Sequence, residues 1–313
     1  MPPTPRVTVI TPTYNRADLL AETIDSVLGQ GYPDLEYLVI DDGSTDATRE
    51  VVAPYLQSHP GVIRYFHHDN RGEAATVNRG WELATGDYFA YVGSDVPMLP
   101  GWLEKGVAFM EEHTDVLVGY PDWRMIDQHS RPIKDVQVRE YDFAHMAGWF
   151  NCLPGPGTFI RRAVLGDMAA LRDTAYRFMP DFETWLRLAL RGPFQRIPET
   201  LATWRRHAGA TTVAAQSLPR AGEYLRLADG FFARPDLPPA VARLRRRAKS
   251  RAWYLAALAL GNNHPAHTLY YLTRSLLACP VEPRDLPADL RRNAARKFLG
   301  YGRLLLLRLF GVR

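Results

Sequence analysis

Strand-like and helix-like patterns alternate along the first 113 residues of this chain, and no other feature narrows its fold as far. The runs "RVTVI" (6–10), "LEYLVID" (35–41), "VIRYFHH" (62–68) and "DYFAYVG" (87–93) are short and rich in β-branched and aromatic residues, as buried strands are. Between the first two, "ADLLAETIDSVLGQ" sets Leu20, Ile24, Val27 and Leu28 on one helical face. Further helices are expected in "DATREVVAPYLQSH", from Glu73 to Thr85, and in "GWLEKGVAFMEEH". Strands separated by helices must be joined by right-handed crossovers, so the expected fold is α/β, with a mainly parallel, doubly wound sheet flanked by helices.

From Val116 to about Val213 the pattern is mixed. Strands are expected in "VLVGY", "IKDVQVREY", "GTFIRR" and "TLATWRR", and helices near 163–172 and 181–191. Beyond Ala215 helical patterns dominate, with Pro-containing joints. The chain therefore divides into an α/β domain over 1–214, with halves of about 1–115 and 116–214, and a helical C-terminal region over 215–313. Charge follows the same division. Residues 215–313 carry 18 Lys+Arg against 6 Asp+Glu, a balance of +12, while residues 1–214 carry 20 against 28, a balance of −8. A basic tail attracts polyanions; without aromatic interleaving of the single-strand-binding kind, nucleic acid is disfavoured and an anionic membrane surface favoured. The segment "RKFLGYGRLLLLRLFGVR" mixes cations with Leu and Phe as interfacial segments do, although packing on the α/β domain is the alternative.

Cys152 and Cys279 form no CxxC unit and suggest neither zinc nor a disulfide framework. No window reaches the ~18 apolar residues of a membrane span, and the N-terminus has no signal-peptide pattern. The expectation is a cytoplasmic protein, peripheral at the inner face of the cell membrane if the tail binds it.

In open α/β sheets ligands sit beyond the carboxyl ends of the strands. Those ends carry "TPTYNR", "DDGSTD" and "GSD": an aromatic ring, paired acids and a further acid. Such an edge suits a nucleoside diphosphate. Tyr14 can pack on a base, Asp41 or Asp42 can accept from base or ribose, and Asp95 can hold a divalent cation, Mg²⁺ or Mn²⁺. The plainer alternative makes "DDGSTD" an Asx turn with Ser44 or Thr45 as a helix cap. His67 and His68, at a strand end, read as loop or edge packing.

At this point a resemblance becomes specific. "VTVITPTYNRADLLAETIDSVLGQGYPDLEYLVIDDGSTDAT", "NRGEAATVNRGWELATGDYFAYVGSD", "MPDFETWLRLALRG" and "LATWRRHAGATT" resemble, in that order, the motifs of family 2 glycosyltransferases of the GT-A fold, over roughly residues 6–213. The resemblance implies that Pro12 and Tyr14 lie in the nucleotide-binding first loop, with Asp42 at the base-recognition position and Asp41 supporting it. Asn78 would approach the nucleotide, although Val77 stands where the family often has Arg. Ser94 would contact ribose. Asp95 matches the metal-binding acid, Gly93 standing where a first acid is common, and His207 is the second candidate ligand. Asp181 matches the general base, Pro180 being a departure from the family's Glu-Asp pair. Glu183 is the nearby competitor, about 200° away around a helix. Gly157, Thr158, Glu183, Trp185 and Arg205 would belong to the donor-sugar and acceptor wall.

The reading implied is an inverting transfer from a nucleotide-diphosphate sugar, UDP-sugar favoured over dTDP- or GDP-sugar, to a saccharide or lipid-linked hydroxyl acceptor in cell-surface polysaccharide or glycolipid synthesis. Two alternatives stand beside it: a non-catalytic nucleotide-sugar-binding protein and a nucleotidyltransferase, the latter lacking the basic Gly-rich loop that a triphosphate calls for. A homodimer through the helical tail is compatible with the sequence.

Overall fold

A computed structural model describes residues 4–166, 168–207, 217–261 and 263–278. They form two compact units, one of residues up to Tyr141 and Cys152–His207, the other of Asp142–Asn151 and the described residues after His207. The boundary expected at 214 falls in residues 208–216, outside the described ones.

The first unit is built on one sheet of eight strands. β1 (Val7–Thr13), β2 (Leu35–Asp41), β3 (Ile63–His67) and β4 (Tyr88–Tyr91) lie parallel in the order β3-β2-β1-β4. The helices between them are α1 (Ala17–Leu28), α2 (Thr48–Ser58) and α3 (Glu73–Leu83), and α4 (Trp102–Glu112) follows β4. Each expected element of this half is present. The central strands are buried along nearly their whole length because helices cover the sheet, so β1 reads as a continuous run and not as an alternation. Gly80 in α3 marks the closest approach: a Cβ there would lie 2.9 Å from Ile10, so the helix backbone itself rests on the sheet.

The other half makes the sheet mixed. β7 (Phe159–Arg161) runs antiparallel to β4 and to β5 (Val118–Ile126), β6 (Pro132–Val136) is antiparallel to β5, and β8 (Phe194–Arg205) pairs parallel with β5 along its length. Three local expectations are corrected. The strand expected over 133–141 ends at Val136, since Gln137 onward does not pair with β5. The helix expected near 163–172 is a single 3-10 turn, Arg162–Leu165, stopped at Gly166. The helix expected at 181–191 is α6 (Pro180–Leu188), and Pro180 stands in its first turn, where a missing N–H costs nothing.

The second unit contains α5 (Phe143–Trp149), α7 (Leu218–Phe232), α8 (Pro239–Ala242), α9 (Arg245–Leu260) and α10 (Pro265–Ala278). The helix at 143–149 was not expected; the Asp142 carboxylate caps it, accepting from His145 N–H at 2.9 Å. Ala252, Ala256, Ala257 and Ala259 let α9 approach its neighbours closely, and the Ser250 hydroxyl donates to the Ser275 carbonyl at 2.8 Å. Several of the unit's cations are engaged internally: Arg247 lies over Trp149, Arg251 over Tyr254 and Arg274 over Trp253. Among the described residues no helix is long and apolar enough to cross a membrane. Cys279 and the segment "RKFLGYGRLLLLRLFGVR" lie outside the described residues.

Candidate active site

The carboxyl ends of β1 and β2 are stitched together by side chains of the "TPTYNR" and "DDGSTD" segments. Asn15 turns the chain with a left-handed φ of 49°, a conformation that Asn tolerates. Its N–H donates to Ser44 Oγ at 2.9 Å, and its Oδ1 accepts from Thr45 N–H at 2.8 Å. Ser44 therefore holds the first loop and does not cap α2, and Thr45 does not cap it either; the Asp46 carboxylate accepts from Thr48 at the start of α2. Asp41 is buried and is the acceptor of the turn: Oδ1 takes Ser44 N–H at 2.8 Å and Oδ2 takes the Tyr65 hydroxyl. Asp42, also buried, accepts from Arg71 N–H at 2.7 Å and Gly72 N–H at 2.9 Å, with His68 Nδ1 3.6 Å away. Each of its oxygens keeps a lone pair. Pro12 is buried in β1, opposite Ile40, and Tyr14 is 48% exposed at the mouth of the loop.

Past β4 the chain turns through Gly93 and the buried Ser94 to Asp95. His207, 112 positions later and just beyond β8, brings Nε2 to 2.8 Å from Asp95 Oδ2. One carboxylate and one imidazole thus converge. No cluster of three or more such side chains exists among the described residues. That donor set fits a hard divalent cation that takes its remaining ligands from water and substrate phosphate, the usual habit of Mg²⁺, and the imidazole suits Mn²⁺ as well.

Arg205 fixes this corner. Its guanidinium is almost fully buried, and Nε donates to the Asp95 carbonyl at 2.8 Å. Nη1 reaches Ser130 Oγ at 2.9 Å and, at 3.3 and 3.4 Å, the carbonyls of Asp127 and Gln128; Nη2 meets Glu22 Oε2 of α1 at 2.5 Å. Arg205 is therefore a clamp behind Asp95 and is corrected from the wall to the frame.

Asp181 stands in the first turn of α6, where the helix N-terminus favours a carboxylate. Its side chain is open to solvent, yet protein surrounds it closely enough that burial raises its pKa above the ordinary carboxylate value; Arg172 and the Phe182 N–H oppose the rise, and Glu73 adds to it. The Cys152 thiol shares these surroundings, its pKa pushed well up by burial and by Asp181. Arg172 was not singled out in the sequence. It lies in an irregular stretch with no periodicity, and only its burial and partners reveal it. Its Nη1 donates to Glu73 Oε1 at 2.8 Å, and its guanidinium carbon is 4.6 Å from the centre of the Tyr91 ring. The Tyr91 hydroxyl donates to the same Glu73 oxygen at 2.8 Å, and burial, with Glu73 beside it, raises its pKa.

Other expected wall residues belong to the frame. Gly157 has φ +75°, and a Cβ there would come within 2.9 Å of Ala202 and 3.0 Å of the Trp102 indole nitrogen, which donates to the Gly157 carbonyl. Thr158 is buried, its hydroxyl on the Gly155 carbonyl at 2.6 Å. Trp185 is buried edge-on to Phe194, and Glu183 pairs with Arg187 at 3.0 Å, which holds the Leu171 carbonyl. Asn78 gives both ends of its carboxamide to the Arg172 backbone.

Comparison with known proteins agrees with this architecture. The family model described as Glycosyl transferase family 2 matches residues 8–172, more than half of the chain. The chain is 31% identical over 192 residues to the putative teichuronic acid biosynthesis glycosyltransferase TuaG of Bacillus subtilis, covering 60% of this chain and 73% of TuaG. Among solved structures, S. aureus TarS 1–349, solved also with UDP-GlcNAc and with UDP, superimposes with a TM-score of 0.66 at 17% identity, covering 98% of this chain and 92% of TarS. The mannosyltransferase PcManGT of Pyrobaculum calidifontis, in complex with GDP-Man and Mn²⁺, gives 0.61 at 18% identity, covering 100% and 89%. These structural likenesses concern the GT-A fold. Family motifs, fold and the convergence of acids at the strand ends agree, and the chain belongs to glycosyl transferase family 2.

Proposed function

We propose that this glycosyltransferase moves a sugar, with inversion, from a nucleotide-diphosphate sugar to a hydroxyl of a saccharide or lipid-linked acceptor in cell-surface polysaccharide synthesis. The observation that carries the reading is the presence of two acidic corners in one unit: Asp95 with His207 beyond β4, and Asp181 at the start of α6. Tyr14 and Asp42 border the place for the base, Ser94 that for the ribose. Asp95 and His207 would hold a divalent metal, which when bound stabilises the departing diphosphate. Asp181, open to solvent and with its pKa raised, accepts the proton of the attacking acceptor hydroxyl. Attack from the face opposite the leaving group inverts the anomeric centre.

Donor and acceptor classes draw support from relatives. TarS is solved with UDP-GlcNAc and PcManGT with GDP-Man and Mn²⁺, and TuaG's name refers to teichuronic acid biosynthesis. A UDP-sugar is the favoured donor, and the basic C-terminal region supports attraction to the anionic inner face of a cell membrane. The test is incubation with a panel of nucleotide sugars and Mg²⁺ or Mn²⁺, followed by detection of released nucleoside diphosphate and of the product's anomeric configuration. Nucleoside diphosphate release that Asp181→Asn abolishes is the expected result; near-normal turnover in that variant, or a retained configuration, refutes the proposal.

A further inference from the structure

The helical hairpin of α9 and α10 is cationic to a degree that its own residues do not balance. From Leu237 to Val281 the sequence holds seven Lys+Arg and no Asp or Glu. Four of those cations are engaged: Arg247 lies over Trp149, Arg251 over Tyr254 and Arg274 over Trp253, and Lys249 pairs with Asp229 Oδ1 at 2.7 Å. The other three, Arg243, Arg245 and Arg246, are exposed, and among the described residues their guanidinium groups meet no carboxylate, carbonyl or ring.

The packing of the hairpin puts apolar side chains beside them. Ser250 meets Ser275, and Trp253 meets Tyr270 and Tyr271, so the helices run antiparallel and the start of α9 lies beside the end of α10. On α9, Arg246, Lys249 and Trp253 follow at i, i+3 and i+7; on α10, Tyr270, Arg274 and Leu277 follow at i, i+4 and i+7. With Arg274 over Trp253, and Trp253 edge-on to Tyr270, the two helix faces make one surface. On it Tyr270 is 52% and Leu277 71% exposed, and Leu276, next in the chain, is 54% exposed. A single exposed leucine is ordinary; two at one helix end, beside three unpaired arginines, mark a surface that meets something both anionic and apolar.

We propose that this face seats on an anionic lipid surface, with Arg243, Arg245 and Arg246 at the headgroup phosphates and Leu277, Leu276 and Tyr270 at the boundary with the acyl chains. A nucleic acid or an anionic polysaccharide matches the charge but does not take exposed leucines out of water, as a surface with an apolar layer does. Trp253 and Tyr270 add amphipathic rings of the kind that sit at headgroup level. The face sharpens the membrane attraction proposed above, on which it rests, by locating it on α9 and α10 rather than on residues 279–313.

The experiment sediments the full chain with vesicles of phosphatidylcholine alone and of phosphatidylcholine mixed with phosphatidylglycerol, at low and at moderate salt. Wild type is expected to bind the mixed vesicles and not the neutral ones, and salt should weaken the binding. Each cation near such a surface strengthens binding about fivefold at low salt, so Arg246→Gln should lose about fivefold, and Arg243→Gln, Arg245→Gln and Arg246→Gln combined about a hundredfold. Leu277→Ser should lose about tenfold at either salt, because it withdraws apolar area and not charge. All four side chains are exposed, so each variant should melt as wild type does. Wild-type affinity in every variant overturns the proposal and leaves the attraction to residues 279–313. Failure of the wild type to bind mixed vesicles overturns both. A loss in the arginine variants without one in Leu277→Ser, or binding to a soluble anionic polysaccharide as tight as to the mixed vesicles, also overturns the proposal and makes the face a polyanion site. None of these measurements involves a donor or an acceptor, so failure of the glycosyl-transfer reading would leave them standing.

Discussion

Replacing Arg205 with Met tests whether the Asp95 corner is held from behind. The substitution keeps most of the stem and removes the guanidinium, so the loss is one of hydrogen bonds and charge more than of packing. Two contacts have good geometry, those to the Asp95 carbonyl at 2.8 Å and to Ser130 Oγ at 2.9 Å, and each is a charge-assisted bond worth about 1.5 kcal/mol. The Asp127 and Gln128 carbonyls at 3.3 and 3.4 Å are too long to add much. The Glu22 pair is one-sided in its burial, Arg205 being 1% and Glu22 42% exposed, so solvent screening limits it to about 1 kcal/mol. The sum is about 4 kcal/mol. For a unit of this size that corresponds to a Tm fall of about 8 to 16 °C. Arg205→Lys, which can keep the Glu22 attraction and one bond, should lose about half as much, and Glu22→Gln about 1 kcal/mol or less. Differential scanning calorimetry gives the stabilities, and titration of UDP with Mn²⁺ reads the site. Because the Asp95 carbonyl is released in Arg205→Met but not in Glu22→Gln, binding should weaken in the first and hold in the second. A Tm within 2 °C of wild type, or equal binding losses in the two variants, refutes the reasoning.

Further outcomes follow from the same geometry. Gly157→Ala should cost about 2 kcal/mol or more, since a left-handed φ is added to a close approach to Ala202 and Trp102, and the loss should appear in Tm measured without ligand. Asp181→Asn should raise Tm near neutral pH: the folded-state pKa is raised, so the ionised carboxylate weakens the fold above that pKa and ceases to do so as pH falls through it. The gain should vanish in thermal melts at low pH. Asp95→Asn should abolish the Mn²⁺ dependence of UDP binding in calorimetry, whereas tight Mn²⁺ binding by the wild-type protein without nucleotide would show a fuller ligand set than Asp95 and His207 provide.

What the sequence discloses here depends on how far apart the cooperating residues are. β1 to β4 and α1 to α4 are local objects, each set by a run of apolar residues and its period, and each was legible. The partners of β5 are not local: β8 pairs with it from some 75 positions away, and β7 joins it antiparallel, which a βα alternation does not announce. Within the site, acids at strand ends were legible because the sheet dictates where strand ends point. His207 came into view through its motif, and the structure brings it to Asp95.

Residues with long-range partners were the ones misread. Nothing in "GPGTF" or "TWLRL" states that Gly157 meets Ala202 or that Trp185 meets Phe194, and a motif position alone made them look like site walls. Arg205 shows the physical reason. As a charged residue in a closing motif it reads as a ligand contact, but with 1% exposure and its fork divided among Asp95, Ser130 and Glu22 it is a clamp. Arg172 is the converse: no motif marks it, yet it is enclosed beside Tyr91 and Glu73, with Asn78 holding its backbone. Charge in a sequence gives sign and count. Whether a given cation faces substrate, an acid or a backbone carbonyl is set by burial, and burial is a property of the whole sheet.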